Sequence, residues 1–165
     1  MGTEGLSYRE AVERTGGFVR LSARARDEAL QELVNALAAA GKLGNADPRD
    51  VCRSAVEREN IGTTGFGYGL ALPRARHPDI PRLVAPIGVS EAGIYFHSRD
   101  RQPVHVLFFL AVAPDTHEYR RDFLSVDLSL CRSIRPGPFI DNVIRAKSVD
   151  QFIALLGESD GDEDC

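Results

Sequence analysis

Arg74 and Arg76 flank Ala75, and His77 follows directly, so the residues most able to do chemistry in this chain sit side by side. A guanidinium is planar, stays charged at physiological pH and only donates hydrogen bonds. It therefore matches phosphate or carboxylate with paired bonds, but has no lone pair with which to accept a transferred group. A neutral imidazole does have one. Upstream lie Gly62, Thr63, Thr64, Gly65, Gly67 and Gly69. Their spacing suits backbone amides that cradle an anion, and equally a strand with another backbone lying close against one face. The arginines carry two readings at this stage. They form a cationic pocket for phosphate, a nucleotide or an acidic segment, or they are solvated surface groups paired with Glu59 or Asp79 at about 1 kcal/mol or less each.

The remaining histidines show no metal-ligand spacing such as i, i+4 on a helix. His97 reads as an exposed loop residue, and His105 as a hydrogen-bonded residue inside a strand. No serine sits in a nucleophile elbow, no loop matches a P-loop, and no carboxylates are spaced as an acid and base pair. Cys52, Cys131 and Cys165 are odd in number and far apart, which fits a reducing compartment. No metal or other cofactor is expected.

These side chains need a scaffold, and the apolar pattern supplies one. Phe18–Leu21 reads as a first strand. Leu30, Leu33, Val34 and Leu37 fall at helical spacing before a stop at Gly41. Asp47-Pro48 starts a second helix, with Val51, Ala55 and Val56 on its buried side. A glycine loop then feeds a strand over Tyr68–Leu72. Leu83–Val89 and Ile94–Phe96 read as short strands around a turn at Ser90–Gly93. Val104–Val112, nearly all apolar, reads as a central strand buried on both faces. Pro114 and Asp115 introduce a helix through about Cys131. A rigid turn at residues 135–138 precedes a short helix over Phe139–Lys147, and Ser148 caps a last helix carrying Val149, Phe152, Ile153 and Leu156. The pattern predicts an α/β domain: a mixed parallel and antiparallel sheet of about five strands, with helices on both faces.

A chain of 165 residues fits one domain. Residues 1–17 read as a flexible arm with a helical turn around Tyr8–Arg14, residues 18–156 as the folded domain, and residues 157–165 as an acidic disordered tail. The net charge of −4 is misleading, because Glu158, Asp160, Asp162, Glu163 and Asp164 all lie in that tail. The folded body is close to neutral, which excludes the basic balance of nucleic-acid or membrane-surface binding. No segment has the ~18 apolar residues of a membrane span, and no leader pattern opens the chain. A cytoplasmic protein is expected.

Arg58-Glu59, Gly62-Thr63-Thr64-Gly65, Ala71-Leu72-Pro73, Gln102-Pro103-Val104 and Ala113-Pro114, taken together, resemble the enzyme IIA domains of the bacterial sugar phosphotransferase system, fructose/mannitol type, including the nitrogen-regulatory IIA proteins. The resemblance spans roughly residues 18–156 and implies that family's fold. In the family the strand ends in Ala-x-Pro-His, whose histidine takes a phosphoryl group from the phosphocarrier protein; here Arg74 follows Pro73. A second family histidine lies four residues before a core leucine. Counting back from Leu124 gives Arg120, and a loop shorter by one turn gives His117. Thr63 and Thr64 fall where the family has hydroxyls near the active site. The resemblance implies a regulatory or adaptor protein that has lost its phosphoacceptor and binds a phosphocarrier-like or other protein partner, or an anion, through Arg74, Arg76, Arg120, Thr63 and Thr64. The alternatives are a competent phosphotransferase using His77 or His117, and a phosphate or nucleotide sensor.

Overall fold

In a computed structural model of the chain, which describes residues 5–15, 17–134 and 137–159, the central element is the run Val104–Val112. It forms β6 (Val104–Phe108) and β7 (Leu110–Val112), broken only at Phe109. Neighbouring side chains along it alternate between two cores. Leu107, Phe109 and Ala111 face one side, and Val106, Phe108 and Leu110 the other, all fully buried. That alternation follows from the period of two in a strand and explains why a doubly covered strand reads as continuously apolar.

Four strands join β6 in a mixed sheet ordered β1-β5-β6-β3-β2. β1 (Phe18–Arg20) runs parallel to β5 (Ile87–Ile94), which is antiparallel to β6. β3 (Leu70–Ala71) is parallel to β6, and β2 (Gly65–Gly67) turns back antiparallel to it. β4 (Arg74–Arg76) pairs with β7 in the register that β3 keeps with β6: Leu70 opposes Val106 and Arg74 opposes Leu110. β4 is therefore the continuation of β3 past Leu72-Pro73, where proline cannot donate to the ladder.

One face of the sheet is covered by α2 (Arg26–Ala39) and α3 (Pro48–Ile61). The start of α3 and the end of α2 follow from their residues. Asp47 accepts from the Arg49 amide at 2.9 Å with Pro48 in the first turn, and Gly41 (φ 72°) follows α2. The other face carries α4 (Leu124–Ser133), α5 (Pro138–Arg145) and α6 (Val149–Ser159), together with α1 (Tyr8–Thr15). α6 starts in a reciprocal cap: Ser148 Oγ accepts from the Gln151 amide at 3.2 Å, and Gln151 Oε1 accepts from the Lys147 amide at 2.8 Å.

The N-terminal arm expected over residues 1–17 is instead part of this second core from Tyr8 onward. Tyr8, Ala11 and Val12 are fully buried, and the Tyr8 ring meets Phe108 and Phe152 edge-on at 5.9 and 6.3 Å. The segment before it crosses α4 so closely that a Cβ on Gly5 would lie 2.6 Å from Ser125 Cβ. Ser7 and Glu10 cap this helix reciprocally, at 3.1 and 3.0 Å, and long-range packing of its apolar face holds it against the core. The tail's first residues extend α6 to Ser159, and residues 160–165 lie outside the described residues, as does the turn at 135–136.

Two strand assignments also change. Leu83–Pro86 contributes only a bridge from Val84 to Ala111, and β5 passes continuously through Ser90–Gly93, with a register shift between Val89 and Ile94. Ser90 Oγ accepts from the Gly93 amide at 2.9 Å and holds that irregularity inside one strand. His105 is half-buried with Nδ1 2.8 Å from the Ser90 carbonyl oxygen, as a hydrogen-bonded strand residue should be. Among the described residues no helix is long and apolar enough to cross a membrane.

Candidate functional site

The junction of β3 and β4 projects Arg74 toward α4, and its guanidinium is used up locally. Nη1 donates to the carbonyls of Leu72 at 2.8 Å, Pro73 at 3.2 Å and Phe108 at 3.4 Å, while Nη2 donates to Asp127 Oδ1 of α4. Three of those oxygens are backbone groups at or beside the break between β3 and β4, and that of Pro73 also accepts from the Leu110 amide at 3.1 Å. Burial pulls the Arg74 pKa below its ordinary value, and the Asp127 carboxylate works against that. The side chain is only 14% exposed. The same charge opposes the upward shift that burial imposes on the Tyr8 phenol, whose hydroxyl has no hydrogen-bond partner.

The helix facing Arg74 does not begin as an ordinary α-helix. Tyr119–Phe123 forms a π-helical turn, which brings the rings of Tyr119 and Phe123 into a stack at 5.2 Å. Arg76 lies over Tyr119 at 4.9 Å, and Arg74 is 6.0 Å from the Phe123 centroid. The wider turn also displaces the helical register. Leu124, taken as the core leucine in counting back to Arg120, is 60% exposed, and the core position falls on Phe123 at 7%.

Arg74, Ala75 and Arg76 line a cavity of about 500 Å³ with Ser54, Glu57, Arg58 and Ile61 of α3 and with Phe123 and Asp127. Of the residues expected at the site, only Arg74 and Arg76 meet here. Arg120 and His117 are exposed and do not line it. Thr63 and Thr64 are committed to the loop after α3: Thr63 Oγ1 accepts from the Gly65 amide at 3.0 Å, and Thr64 donates through both its amide (2.9 Å) and its hydroxyl to buried Glu59. His77 Nδ1 accepts from the Asp79 amide at 3.1 Å, and Nε2 lies 3.9 Å from Asp50 Oδ2, away from this cavity. Neither Glu59 nor Asp79 pairs with Arg74; Asp127 does. Asp127 gave no sign in the sequence beyond being the one acidic residue between Leu124 and Ser133, four positions after Phe123 and four before Cys131. Among the described residues no cluster of three His, Cys, Asp or Glu forms a metal site.

The elements that line the cavity also carry exposed apolar side chains, of which Ile61 is in the lining itself. Ile61 is 84% exposed, and Leu124 and Leu128, one turn apart on α4, are 60% and 54% exposed. Further along α4 and β3 a second groove of about 380 Å³ is lined by Phe66, Tyr68, Leu70, Leu72, Cys131 and Ile134.

The π-turn is tied to the start of the chain through Asp122, which is buried. Hydrogen bonds from Arg121 (2.8 and 3.0 Å) hold its pKa below the ordinary value, helped by the Leu6 amide at 3.3 Å. A depressed carboxylate contributes stability that is present above its unfolded pKa of about 3.9 and is lost as the pH falls through the folded value. Asp122→Asn is expected to be less stable than the parent at neutral pH, with the difference shrinking once the pH drops below about 4. Urea unfolding across a pH series measures this.

A two-core α/β sandwich whose site lies at the end of a proline-broken strand, facing a capping helix, defines a domain of the enzyme IIA class. The chain belongs to the family described as "Phosphoenolpyruvate-dependent sugar phosphotransferase system, EIIA 2", whose model matches residues 15–159. It is similar to the nitrogen regulatory protein of Escherichia coli, 29% identical over 152 residues, covering 88% of this chain and 86% of that one. It is also similar to the fructose-specific EIIABC component of Bacillus subtilis, 29% identical over 146 residues. That match takes in 86% of this chain but only 22% of the longer relative. Among solved structures, the nitrogen regulatory protein IIA-Ntr of Neisseria meningitidis superposes with a TM-score of 0.72 at 20% identity, covering 86% of this chain and 93% of the other. The E. coli mannitol enzyme IIA, determined in complex with phosphorylated enzyme IIB, gives 0.63 at 16% identity, covering 84% and 94%.

Proposed function

We propose that this chain is a phosphotransferase-system IIA-like regulatory or adaptor protein in which Arg74 stands at the phosphoacceptor position, and that it binds a protein partner through the former active-site face without taking a phosphoryl group. The observation that carries the proposal is the state of Arg74, bonded to three carbonyls and paired with Asp127. A guanidinium so engaged is neither a nucleophile nor an open anion receptor. The anion reading thereby loses its principal cation and also Arg120, which lies outside the cavity, and of the arginines expected to serve it keeps Arg76.

The exposed Ile61, Leu124 and Leu128 supply what a protein interface needs: apolar area that no part of the described fold covers. The E. coli mannitol IIA binds a protein partner, phosphorylated IIB, and protein docking is the part of family behaviour that survives the loss of a histidine. The partner proposed is the phosphocarrier protein. Titrating it into the wild type should give saturable binding, and Leu124→Glu with Leu128→Glu should weaken it at least about tenfold, the ordinary scale for placing charge in an interface core. Both positions are exposed, so the fold should be unaffected. An unchanged dissociation constant, or no binding by the wild type, would count against docking on this face.

A further inference from the structure

The loop between β5 and β6 holds two non-glycine residues, His97 (φ 60°) and Arg101 (φ 61°), in the left-handed region. Turns that need only this geometry take glycine or asparagine there, because a Cβ is unfavourable. Here the positions carry an imidazole and a guanidinium, both exposed. Strain of this kind persists where the surroundings over-determine it, and these do. The Arg99 amide donates to the Gly65 carbonyl at 2.9 Å, the Arg101 amide to the Ser98 carbonyl at 3.0 Å, and the Asp100 carboxylate accepts from the amides of Tyr68 (3.2 Å) and Gln102 (3.1 Å).

What this pinned loop presents is a concavity of about 370 Å³ lined by Tyr95, His97, Ser98 and Arg101, within the range of small-molecule sites. The Tyr95 and His97 rings pack at 4.4 Å with a tilt of 59°, and Tyr95 remains 64% exposed. An aromatic pair half open to water is a stacking platform. The nearest carboxylate in sequence, Asp100, is turned onto backbone amides. Among the described residues neither Arg101, its neighbour Arg99, nor Arg24, whose carbonyl accepts from the Tyr95 amide at 2.8 Å, makes an ion pair.

A ring platform beside an unpaired guanidinium recognises a flat, aromatic anion. We infer that this loop binds a free nucleotide, with the base stacked on Tyr95, the tilted His97 ring at its edge and the phosphate held by Arg101. The site shares no lining residue with the Arg74 cavity, so the two proposals stand or fall separately.

Isothermal titration with adenosine monophosphate, adenosine and inorganic phosphate tests the inference. The nucleotide should bind saturably, with adenosine and phosphate each at least about tenfold weaker, since each keeps only half the contacts. Tyr95→Ala and Arg101→Ala, both at exposed positions, should each weaken nucleotide binding by about the same factor, while Leu124→Glu with Leu128→Glu leaves it unchanged. No saturation up to about 5 mM, or binding indifferent to Tyr95→Ala and Arg101→Ala, would overturn it.

Discussion

Asp127→Ala is expected to lower the free energy of unfolding by about 2–3 kcal/mol, a large effect for one side chain on a helix surface. Exposed ion pairs contribute little, because water solvates either partner once the other is gone. This pair is asymmetric. Arg74 is 14% exposed and sits under Phe123, whereas Asp127 is 36% exposed. Removing the carboxylate leaves Nη2 of a mostly buried cation without its acceptor, and that uncompensated charge is the source of the cost. The figure lies below the ~3–5 kcal/mol seen when a fully buried pair is broken, because water reaches the Asp127 side. Asp127→Asn keeps an acceptor and should recover about half. Arg74→Met should cost less than Asp127→Ala, since the stranded carboxylate can turn to solvent, and Asp127→Ala should then do little in the Arg74→Met background. Urea denaturation of the parent and the four variants reads all of this. A loss below about 0.5 kcal/mol for Asp127→Ala would show that Arg74 does not depend on its partner.

The ion pair also bears on partner docking, since it neutralises the centre of the proposed interface. A lone arginine in the cavity beside Ile61 and Phe123 would have to be desolvated by any apolar partner. Paired with Asp127 and bonded to backbone carbonyls, it presents a largely satisfied surface.

The sheet, the helices on its two faces and the run of motifs around Arg58–Pro73 were legible from the residues, because apolar period, caps and glycines are local signals. What escaped was tertiary. α1 buries only Tyr8, Ala11, Val12 and Thr15; Ser7 and Glu10 mark its start locally, in keeping with the helical turn expected around Tyr8–Arg14, but its place in the core depends on Phe108 and Phe152, far away in the chain. The π-turn inserts a register shift that no periodicity reveals. Counting from Leu124 therefore led to Arg120 rather than to the helix face that does meet Arg74, which carries Phe123 and Asp127. Arg74 and Arg76 were identifiable because they sit on a strand at a motif boundary. Asp127 was not, because its partner is chosen by packing between a helix and a strand end 53 residues apart.

Wild-type protein incubated with phosphoenolpyruvate, the phosphotransferase kinase and the phosphocarrier is expected to take up no phosphoryl group. Transfer needs a lone pair aimed at phosphorus, in line with the leaving nitrogen. At the end of β3 the only candidate group is a protonated guanidinium whose nitrogens all act as donors. His77 holds its Nδ1 against the Asp79 amide, and its ring lines no part of the Arg74 cavity; His117 is exposed and also outside it. Neither lines the cavity that holds Arg74. Removing either histidine should therefore change nothing. Intact-mass spectrometry of the incubated protein is the most direct measurement. The account predicts an unchanged mass while the phosphocarrier itself is fully phosphorylated. A stoichiometric phosphoryl adduct, stable to mild alkali and lost in acid, would contradict it and restore the chain to the working phosphotransferases.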